Sequence, residues 1–561
     1  MVKKLFTFLN KEFHGVNEAA LLLGSFAFLS QILGLVRDRL LAHSVGAGTD
    51  LDIYYAAFRI PDFLYVSVAS LASITVLMPF IVERLRGDES KRNAQKFLNS
   101  IFSAFMICML VVSILVYIFM PQIAQLIAPG FTVHSLDLLV STSRIMLLSP
   151  ILIGFSNLIG TITQLYKKFF VFSLSPVFYN LGIIIGIVFF YPSFGTVGLA
   201  YGVILGAFLH LAIQIPTVLS HNLLPRLTSN ISWKEVYSVI KISIPRTLAL
   251  SFNSIVFIIF IAIASKLSIG SISLFTFSFN LQSVPLGIIG ISYSVAAFPL
   301  LVRSFAEKDM ETFRVHIIGG IQQIIFWSLP ITALFIVLRA QIVRVILGAS
   351  TFSWAQTKLT AAAVALFIIS LVAQSIVLLL VRAYYAAGNT KKPLWINLFS
   401  SVCVIVFGYL LLHLFHTMPV LRHTIENLLR VGDLAGTEML ALPFAYALGS
   451  LINVALIWHS IRKDFLLGIK TGISRTIYES FVATFVIGVI AYFSLNIFDN
   501  IFGLLTFWGV FLQGLCAGIV GIIGGVVVLH LMKSKEYIAV VDAMSHKFWK
   551  RPVAIPEQKE L

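Results

Sequence analysis

The stretch Ile501–Met532 reads IFGLLTFWGVFLQGLCAGIVGIIGGVVVLHLM and contains no Asp, Glu, Lys or Arg. A helix needs about 20 apolar residues to cross the hydrocarbon core of a bilayer, so this run is long enough to span one. Similar runs recur along the chain from Glu18 to Lys533. They do not alternate apolar and polar residues as the strands of a transmembrane barrel do. The sequence therefore predicts an all-α polytopic membrane protein.

The composition indicates the same class. Of the 561 residues, 58% are hydrophobic and 11% are charged, and the mean hydropathy is +0.96. Soluble domains carry about 25% charged residues, so soluble enzymes and disordered, fibrous or disulfide-stapled proteins are excluded. Cys108, Cys403 and Cys516 lie singly inside apolar runs. That spacing argues against a disulfide framework and against a thiolate metal site.

Hydropathy predicts about fourteen membrane-spanning helices. They lie near 19–42, 53–82, 98–127, 136–165, 169–191, 196–220, 237–265, 270–302, 314–347, 357–386, 394–415, 438–461, 474–496 and 501–532.

The net charge of +16 is concentrated in alternate short loops between these runs. Examples are Lys167 with Lys168, and Lys391 with Lys392, whereas the intervening loops hold few basic residues. The positive-inside rule then places both termini in the cytoplasm, and the excess charge is expected to contact anionic lipid rather than nucleic acid. The loop near 416–437 is an exception, because it is basic on the predicted outer side, and a short surface helix is one explanation.

Prolines and loop lysines suggest an internal repeat of about 220 residues. The segment Leu77–Arg84 resembles Ala297–Arg303, and Tyr166–Lys168 resembles Asn389–Pro393. Six spans repeated in one orientation predict two pseudo-symmetric halves around a V-shaped central cavity, as in alternating-access transporters. The predicted divisions are a cytoplasmic segment (1–18), an N-terminal six-helix half (19–222), a C-terminal six-helix half (234–461), two extra helices (474–532) and a basic cytoplasmic tail (533–561).

Charged residues within the first two spans are candidate functional groups, because a charge in a bilayer is costly unless it is paired or faces water. Asp52, Arg59 and Asp62 share about one helical face, and Pro61 is expected to bend that helix. The alternative is that such residues mark helix ends that reach the membrane surface. We favour this second interpretation for Arg39 and Asp50, and the cavity interpretation for Arg37, Asp52 and Arg59.

Other chemistry has little support in the sequence. The twelve histidines form no HExxH motif, and Gly468–Thr471 lacks the spacing of a Walker A loop. No catalytic residues, no metal site and no cofactor are therefore predicted, and the protein is not expected to be an enzyme.

Several motifs together resemble the MurJ (MviN) lipid II flippase family of the multidrug/oligosaccharidyl-lipid/polysaccharide exporter superfamily. They extend from about residue 19 to the fourteenth span, and they are weak singly but specific in their order and spacing. The matching segments are Gly34–Asp38, Asp52–Pro61, Pro79, Ala128–Phe131, Pro176 with Asn180, Pro285–Gly290, Pro299, and Tyr385 with Thr390–Pro393.

The resemblance implies a flippase of the bacterial inner membrane that moves an undecaprenyl-pyrophosphate peptidoglycan precursor, lipid II, from the inner to the outer leaflet. It implies a cationic cavity in which Arg37, Asp38, Asp52 and Arg59 bind substrate. It also implies a groove for the isoprenoid tail in the last two spans. The expected partners are the precursor, membrane lipids and other cell-wall synthesis proteins, and a monomer is expected.

Three cavity arginines of the family are absent, because Gln31, Tyr65 and Asn280 stand at those positions. A less positive cavity keeps two alternatives open. One is a flippase for another isoprenoid-linked polysaccharide unit, and the other is a non-transporting scaffold in envelope assembly. The retained charges at Arg37, Asp52 and Arg59 argue against a scaffold.

Overall fold

The computed structural model describes residues 16–68, 74–85, 90–468, 471–503 and 506–548. Of the predicted terminal segments 1–18 and 533–561, residues 1–15 and 549–561 lie outside the described residues. The described part is built from α-helices. Ten helical segments are long and apolar enough to cross a bilayer, and some of them consist of two consecutive helices. The bent pair Trp354–Ile368 and Leu371–Ala386 would make an eleventh span. The prediction of an all-α polytopic membrane protein is confirmed.

The helices of the first half of the chain are α1 (Val16–Ser44), α2 (Thr49–Ser67), α3 (Ile74–Arg84), α4 (Ser90–Ile118), α5 (Met120–Ile127), α6 (Val133–Met146), α7 (Leu148–Leu165), α8 (Phe169–Ile185), α9 (Tyr191–Phe194), α10 (Thr196–Ala212), α11 (Ile215–Ser220), α12 (Trp233–Ala264) and α13 (Ser271–Leu286).

The remaining helices are α14 (Ser292–Ala306), α15 (Met310–Val337), α16 (Arg339–Leu347), α17 (Trp354–Ile368), α18 (Leu371–Ala386), α19 (Lys391–Thr417), α20 (Pro419–Leu429), α21 (Ala441–Phe465), α22 (Ile473–Asp499), α23 (Phe507–Leu531) and α24 (Lys535–Phe548).

Three of the fourteen predicted spans do not meet the length and hydropathy criteria in the described residues, and they correspond to 19–42, 53–82 and 237–265. Helix α1 holds charged residues, and Ser251–Ala264 within α12 is a shorter apolar segment. The span predicted at 53–82 falls on α2 and α3, and residues 69–73 between them lie outside the described part. With these three segments added to the ten spans and the bent pair, the number of membrane-spanning segments stays close to the predicted fourteen.

The described residues form two compact units. The first contains the chain up to Val284 together with Ile346–Phe367 and Asn389–Asn453. The second contains Pro285–Val345, Ile368–Gly388 and the chain from Val454 onward. These units are groups of packed helices, and the two pseudo-symmetric halves inferred from the repeat stay a prediction.

In the first unit, α8 and its π-helical extension Gly186–Phe190 pack very closely on α10. A Cβ atom added to Gly182 would overlap the backbone of Gly206, and one added to Gly186 would overlap Gly202. Small residues let two helix backbones approach in this way, which is how van der Waals contact stabilises helix pairs in a bilayer.

An aromatic cluster packs around the same unit's α12 and α13. Phe257 lies 4.5 Å from Phe279 and 6.0 Å from Tyr446, measured between ring centroids. Phe367 of α17 packs against both Phe279 and Tyr446. These edge-on contacts fix the position of α13, which carries part of the polar cluster described below.

The basic loop on the predicted outer side does contain a short helix, α20, as the charge pattern suggested. Arg422 donates to Glu426 (2.7 Å), Glu438 (3.1 Å) and Thr437 (2.9 Å), and His423 lies 2.9 Å from Glu426. Burial would raise the pKa of the Glu426 carboxyl, but hydrogen bonds from Thr437, Arg422 and His423 hold it below its usual value. Arg422 therefore ties α20 to the following segment.

Candidate functional site

The centre of the polar cluster is an ion pair between neighbouring residues of α1. Arg37 donates from Nη2 (2.8 Å) and Nε (3.0 Å) to Oδ1 of Asp38. The Asp38 side chain is 3% exposed and that of Arg37 is 23% exposed. A buried carboxylate thus neutralises an arginine that solvent or a ligand can still reach.

Two asparagines extend the ion pair to other helices. Asn280 of α13 donates to Oδ2 of Asp38 (3.0 Å), and Asn180 of α8 accepts from Arg37 Nη1 (3.4 Å). Asn180 itself donates to the carbonyl oxygen of Pro176 (3.2 Å) and to the hydroxyl of Ser30 (3.1 Å). These bonds hold the guanidinium and the carboxylate in fixed positions between α1, α8 and α13.

Asp52 is located differently from Asp38. Its Oδ2 accepts from the backbone amide of Gly270 (2.7 Å), and its Oδ1 accepts from both the amide (2.8 Å) and the hydroxyl (2.5 Å) of Ser273. The first amides of a helix have no partner within that helix, so the carboxylate caps α13 from a distant part of the chain. The residue is 4% exposed. The structure therefore joins Asp52 to backbone amides and not to an arginine.

Arg59 lies on α2 with its guanidinium carbon 5.4 Å from the ring centroid of Phe257. Its Nε is buried and has no hydrogen-bond partner among the described residues. Helix α2 continues through Pro61, which is itself buried. Asp62, three residues after Arg59, is close enough to attract its charge. Arg59 thus packs on an aromatic ring, and the Asp62 carboxylate lies further along the same helix.

The three positions at which family arginines are absent have neutral side chains with structural contacts. Asn280 binds Asp38, as described above, and Tyr65 accepts a hydrogen bond from Asn157 (3.0 Å). Gln31 is half-buried on α1. An arginine at position 280 would compete with Arg37 for the Asp38 carboxylate. The neutral amide of Asn280 binds this carboxylate without such competition.

Sequence reasoning singled out Arg37, Asp38, Asp52 and Arg59. The structure brings the first two into direct contact and joins Asp52 to the start of α13. It did not assign a role to Tyr55, whose buried hydroxyl also has no partner in the described chain. The signal was present in the sequence, since Tyr55 precedes Arg59 by one helical turn.

A separate apolar groove of about 400 Å³ lies in the second unit. Its walls are α15, through Ala333, Ile336 and Val337, and α22, through residues between Phe481 and Phe493. The sequence predicted a groove within 474–532, formed by the last two spans. Helix α22 does line this groove, but the opposite wall is α15 and not α23.

Within the described ranges, no group of three or more His, Cys, Asp and Glu side chains is arranged to hold a metal ion. The charged residues of the polar cluster are two arginines, Arg37 and Arg59, and two aspartates, Asp38 and Asp62. Asp52 is bonded elsewhere, at the start of α13. Such a cluster can exchange one anion for another at an arginine that a ligand reaches.

Comparison with known proteins addresses the family of the chain. Residues 41–512 match the family model described as lipid II flippase MurJ. A probable lipid II flippase MurJ of Buchnera aphidicola subsp. Acyrthosiphon pisum is 29% identical over 378 residues, which cover 66% of this chain and 73% of that protein. The corresponding protein of Haemophilus influenzae is 26% identical over 90% of this chain and 99% of its own length.

Solved structures show the same fold. A lipid II flippase MurJ in an inward closed conformation superposes with a TM-score of 0.72 at 21% identity, covering 91% of this chain and 99% of that one. An inward-facing multidrug resistance transporter of the MATE family gives 0.63 at 15% identity, covering 80% and 95%. The match of the family model over most of the chain establishes that this protein belongs to the lipid II flippase MurJ family.

Proposed function

We propose that the protein is a lipid II flippase of the bacterial inner membrane. It translocates undecaprenyl-pyrophosphate-linked peptidoglycan precursor from the inner to the outer leaflet by alternating access, and it transports its substrate without chemical change. The observation that carries this proposal is the partly exposed Arg37, which a buried carboxylate holds in the interior of an apolar bundle.

The bonds around Asp38 suggest how a pyrophosphate is taken up. A phosphate oxygen can accept from the forked Nε and Nη2 donors of Arg37 in place of Asp38 Oδ1. Asp38 then keeps its hydrogen bond from Asn280 through Oδ2, so the carboxylate is not left without a donor. The charge of Arg37 then stays paired with an anion throughout, which lowers the cost of moving between conformations.

The apolar groove between α15 and α22 offers a place for the isoprenoid tail, because a hydrocarbon chain gains contact area there without polar competition. Helices α15 and α22 together are then the tail-binding part of the protein. Residues 19–222 and 234–461 act as the two halves around the cavity, with both termini in the cytoplasm. We expect a monomer that works beside other cell-wall synthesis proteins.

The proposal is tested by replacing Arg37 in a bacterium depleted of its own lipid II flippase. Arg37→Ala should abolish rescue of growth while membrane levels of the protein stay normal. Arg37→Lys should rescue in part, since a point charge lacks the forked donor geometry. Arg39→Ala is the matched control on the same helix and should rescue fully, because we assign Arg39 to the membrane surface.

Normal growth with Arg37→Ala would contradict the proposal. The second readout is the lipid-linked precursor that accumulates on the cytoplasmic leaflet after depletion of the protein in its native host. Lipid II is expected there.

Accumulation of a different isoprenoid-linked saccharide would favour the alternative flippase, which the neutral Gln31, Tyr65 and Asn280 also support. No accumulation of any precursor, with envelope defects nonetheless, would favour the scaffold.

A further inference from the structure

Two hydrogen-bond donors on α2 are buried without partners in the described residues. They are the hydroxyl of Tyr55 and the Nε of Arg59. Tyr55 is only 6% exposed, and the two residues are four positions apart, so they lie on the same face of the helix. They are also close enough to influence each other electrostatically. An unmet polar group in an apolar interior is costly, so a pair of them at one place calls for an explanation.

Apolar contacts hold both side chains in position. The ring of Tyr55 lies edge-on to Phe277 at 5.8 Å and tilted against Tyr54 at 5.4 Å. The guanidinium of Arg59 lies over the ring of Phe257. Because the packing uses the rings and the flat face of the guanidinium, it leaves the hydroxyl of Tyr55 and the Nε of Arg59 without a hydrogen-bond partner among the described residues.

We propose that Tyr55 Oη and Arg59 Nε form a subsite that binds one phosphoryl oxygen of the ligand. This subsite is distinct from Arg37, whose donors are engaged by Asp38 and Asn180. The inference rests on the proposed function, since the phosphoryl group is taken to belong to a prenyl pyrophosphate. It assigns the two arginines different positions along that group, with Tyr55 as the residue that selects a phosphoryl oxygen.

Asp62 balances Arg59 when no ligand is bound. The carboxyl lies on the same helix and interacts with both Arg59 and Arg37. An incoming oxyanion must compete with it for Arg59, since like charges at one cation repel each other. Asp62→Asn should therefore tighten binding of a prenyl pyrophosphate, whereas Tyr55→Phe should weaken it.

The test is a binding measurement on the purified full chain in detergent by native mass spectrometry. The probes are geranylgeranyl pyrophosphate, geranylgeraniol and a saturated fatty acid of similar length. Tyr55→Phe removes one hydrogen bond to a charged oxygen, so its Kd for the pyrophosphate should rise about tenfold. Its Kd for the alcohol should stay as in the unmodified protein. In a double variant with Arg59→Gln the two effects should not add, because both groups bind one oxygen.

Tyr446→Phe is the matched control. Tyr446 is also buried, and it packs against the Phe257 ring over which Arg59 lies, so this variant removes a hydroxyl beside the subsite without removing either of its donors. It should bind all three probes as the unmodified protein does.

Three results would overturn the subsite. Equal pyrophosphate affinity for Tyr55→Phe and the unmodified protein would show that the hydroxyl binds nothing. Equal weakening for pyrophosphate and alcohol would show a packing role only. Tighter binding of the fatty acid than of the pyrophosphate by the unmodified protein would assign the site to carboxylates.

The growth assay separates this inference from the proposed function. If the unmodified protein rescues a flippase-depleted strain while Tyr55→Phe binds pyrophosphate normally, the subsite is wrong and the flippase proposal stands. If the unmodified protein binds the pyrophosphate through Tyr55 but does not rescue, the subsite stands and its ligand is a different prenyl pyrophosphate.

Discussion

Two aspartates fourteen positions apart illustrate how burial and partners set the role of a residue. Asp38 binds an arginine and an asparagine side chain, so its bonds can be exchanged for those of a ligand. Asp52 binds the backbone amides of Gly270 and Ser273 at the start of α13 and also accepts from the Ser273 hydroxyl. We conclude that Asp38 is suited to exchange during transport, whereas Asp52 is suited to hold two helices together.

This difference gives a prediction for Asp52. Asp52→Asn keeps one acceptor oxygen and turns an NH2 group toward amides that also donate. Loss of the hydrogen bonds should lower the free energy of unfolding by about 1–3 kcal/mol. Thermal unfolding of the purified protein in detergent measures this change. Asp50→Asn is the control, because Asp50 accepts only from the hydroxyl of Tyr191 in the hydrogen bonds described (3.2 Å), and its effect should be smaller.

A different outcome would restore the interpretation that the sequence favoured. If Asp52→Asn unfolds as the unmodified protein does and yet fails to support growth, Asp52 acts on the ligand or on an arginine during transport. The sequence could not separate these roles, because the amides that Asp52 caps lie 218 and 221 positions further along the chain. Adjacent charges such as Arg37 and Asp38 are visible in a sequence, but long-range caps are not.

At the scale of helices, the contact between α8 and α10 depends on glycines, which have no side chain to keep the two backbones apart. Gly202 is the clearest case, because an added Cβ would overlap the backbone of Gly186. Gly202→Ala should force the helices apart and lower the free energy of unfolding by about 1–3 kcal/mol. Gly24→Ala is the control, since a Cβ there would meet open space.

Thermal unfolding and the yield of folded protein both report this change. A Gly202→Ala variant as stable as the unmodified protein would show that the two helices have room to separate. The same contact also shows what a sequence reveals about helices. Apolar length predicted the spans, because the bilayer sets that length. The π-helical turn at Gly186–Phe190 was not predicted, since it depends on how α8 fits against its neighbours.

At the scale of the whole chain, the alternation of basic loops predicts which ends of the helices face the cytoplasm. Lys167→Cys and Lys391→Cys, each in a protein whose Cys108, Cys403 and Cys516 are replaced by serine, should react with a membrane-impermeant maleimide only in inverted vesicles. Asp433→Cys, in the loop on the predicted outer side, is the control and should react only in intact cells with a permeable outer membrane.

Labelling of the first two positions from opposite sides would refute both the topology and the internal repeat. The family and the order of helices were predictable from the sequence, because its prolines, loop lysines and apolar runs have the order and spacing typical of the family. The groove wall formed by α15 was not, since pairing of distant helices leaves no local pattern.

The bond from Asp52 to the start of α13 has a practical consequence for watching the protein work. A pair of spin labels or fluorophores placed near the start of α2 and the start of α13 spans a joint fastened by three hydrogen bonds. Such a pair should report one constant separation for as long as these three bonds stay intact. A longer separation during turnover would show that these bonds break when the two proposed halves move.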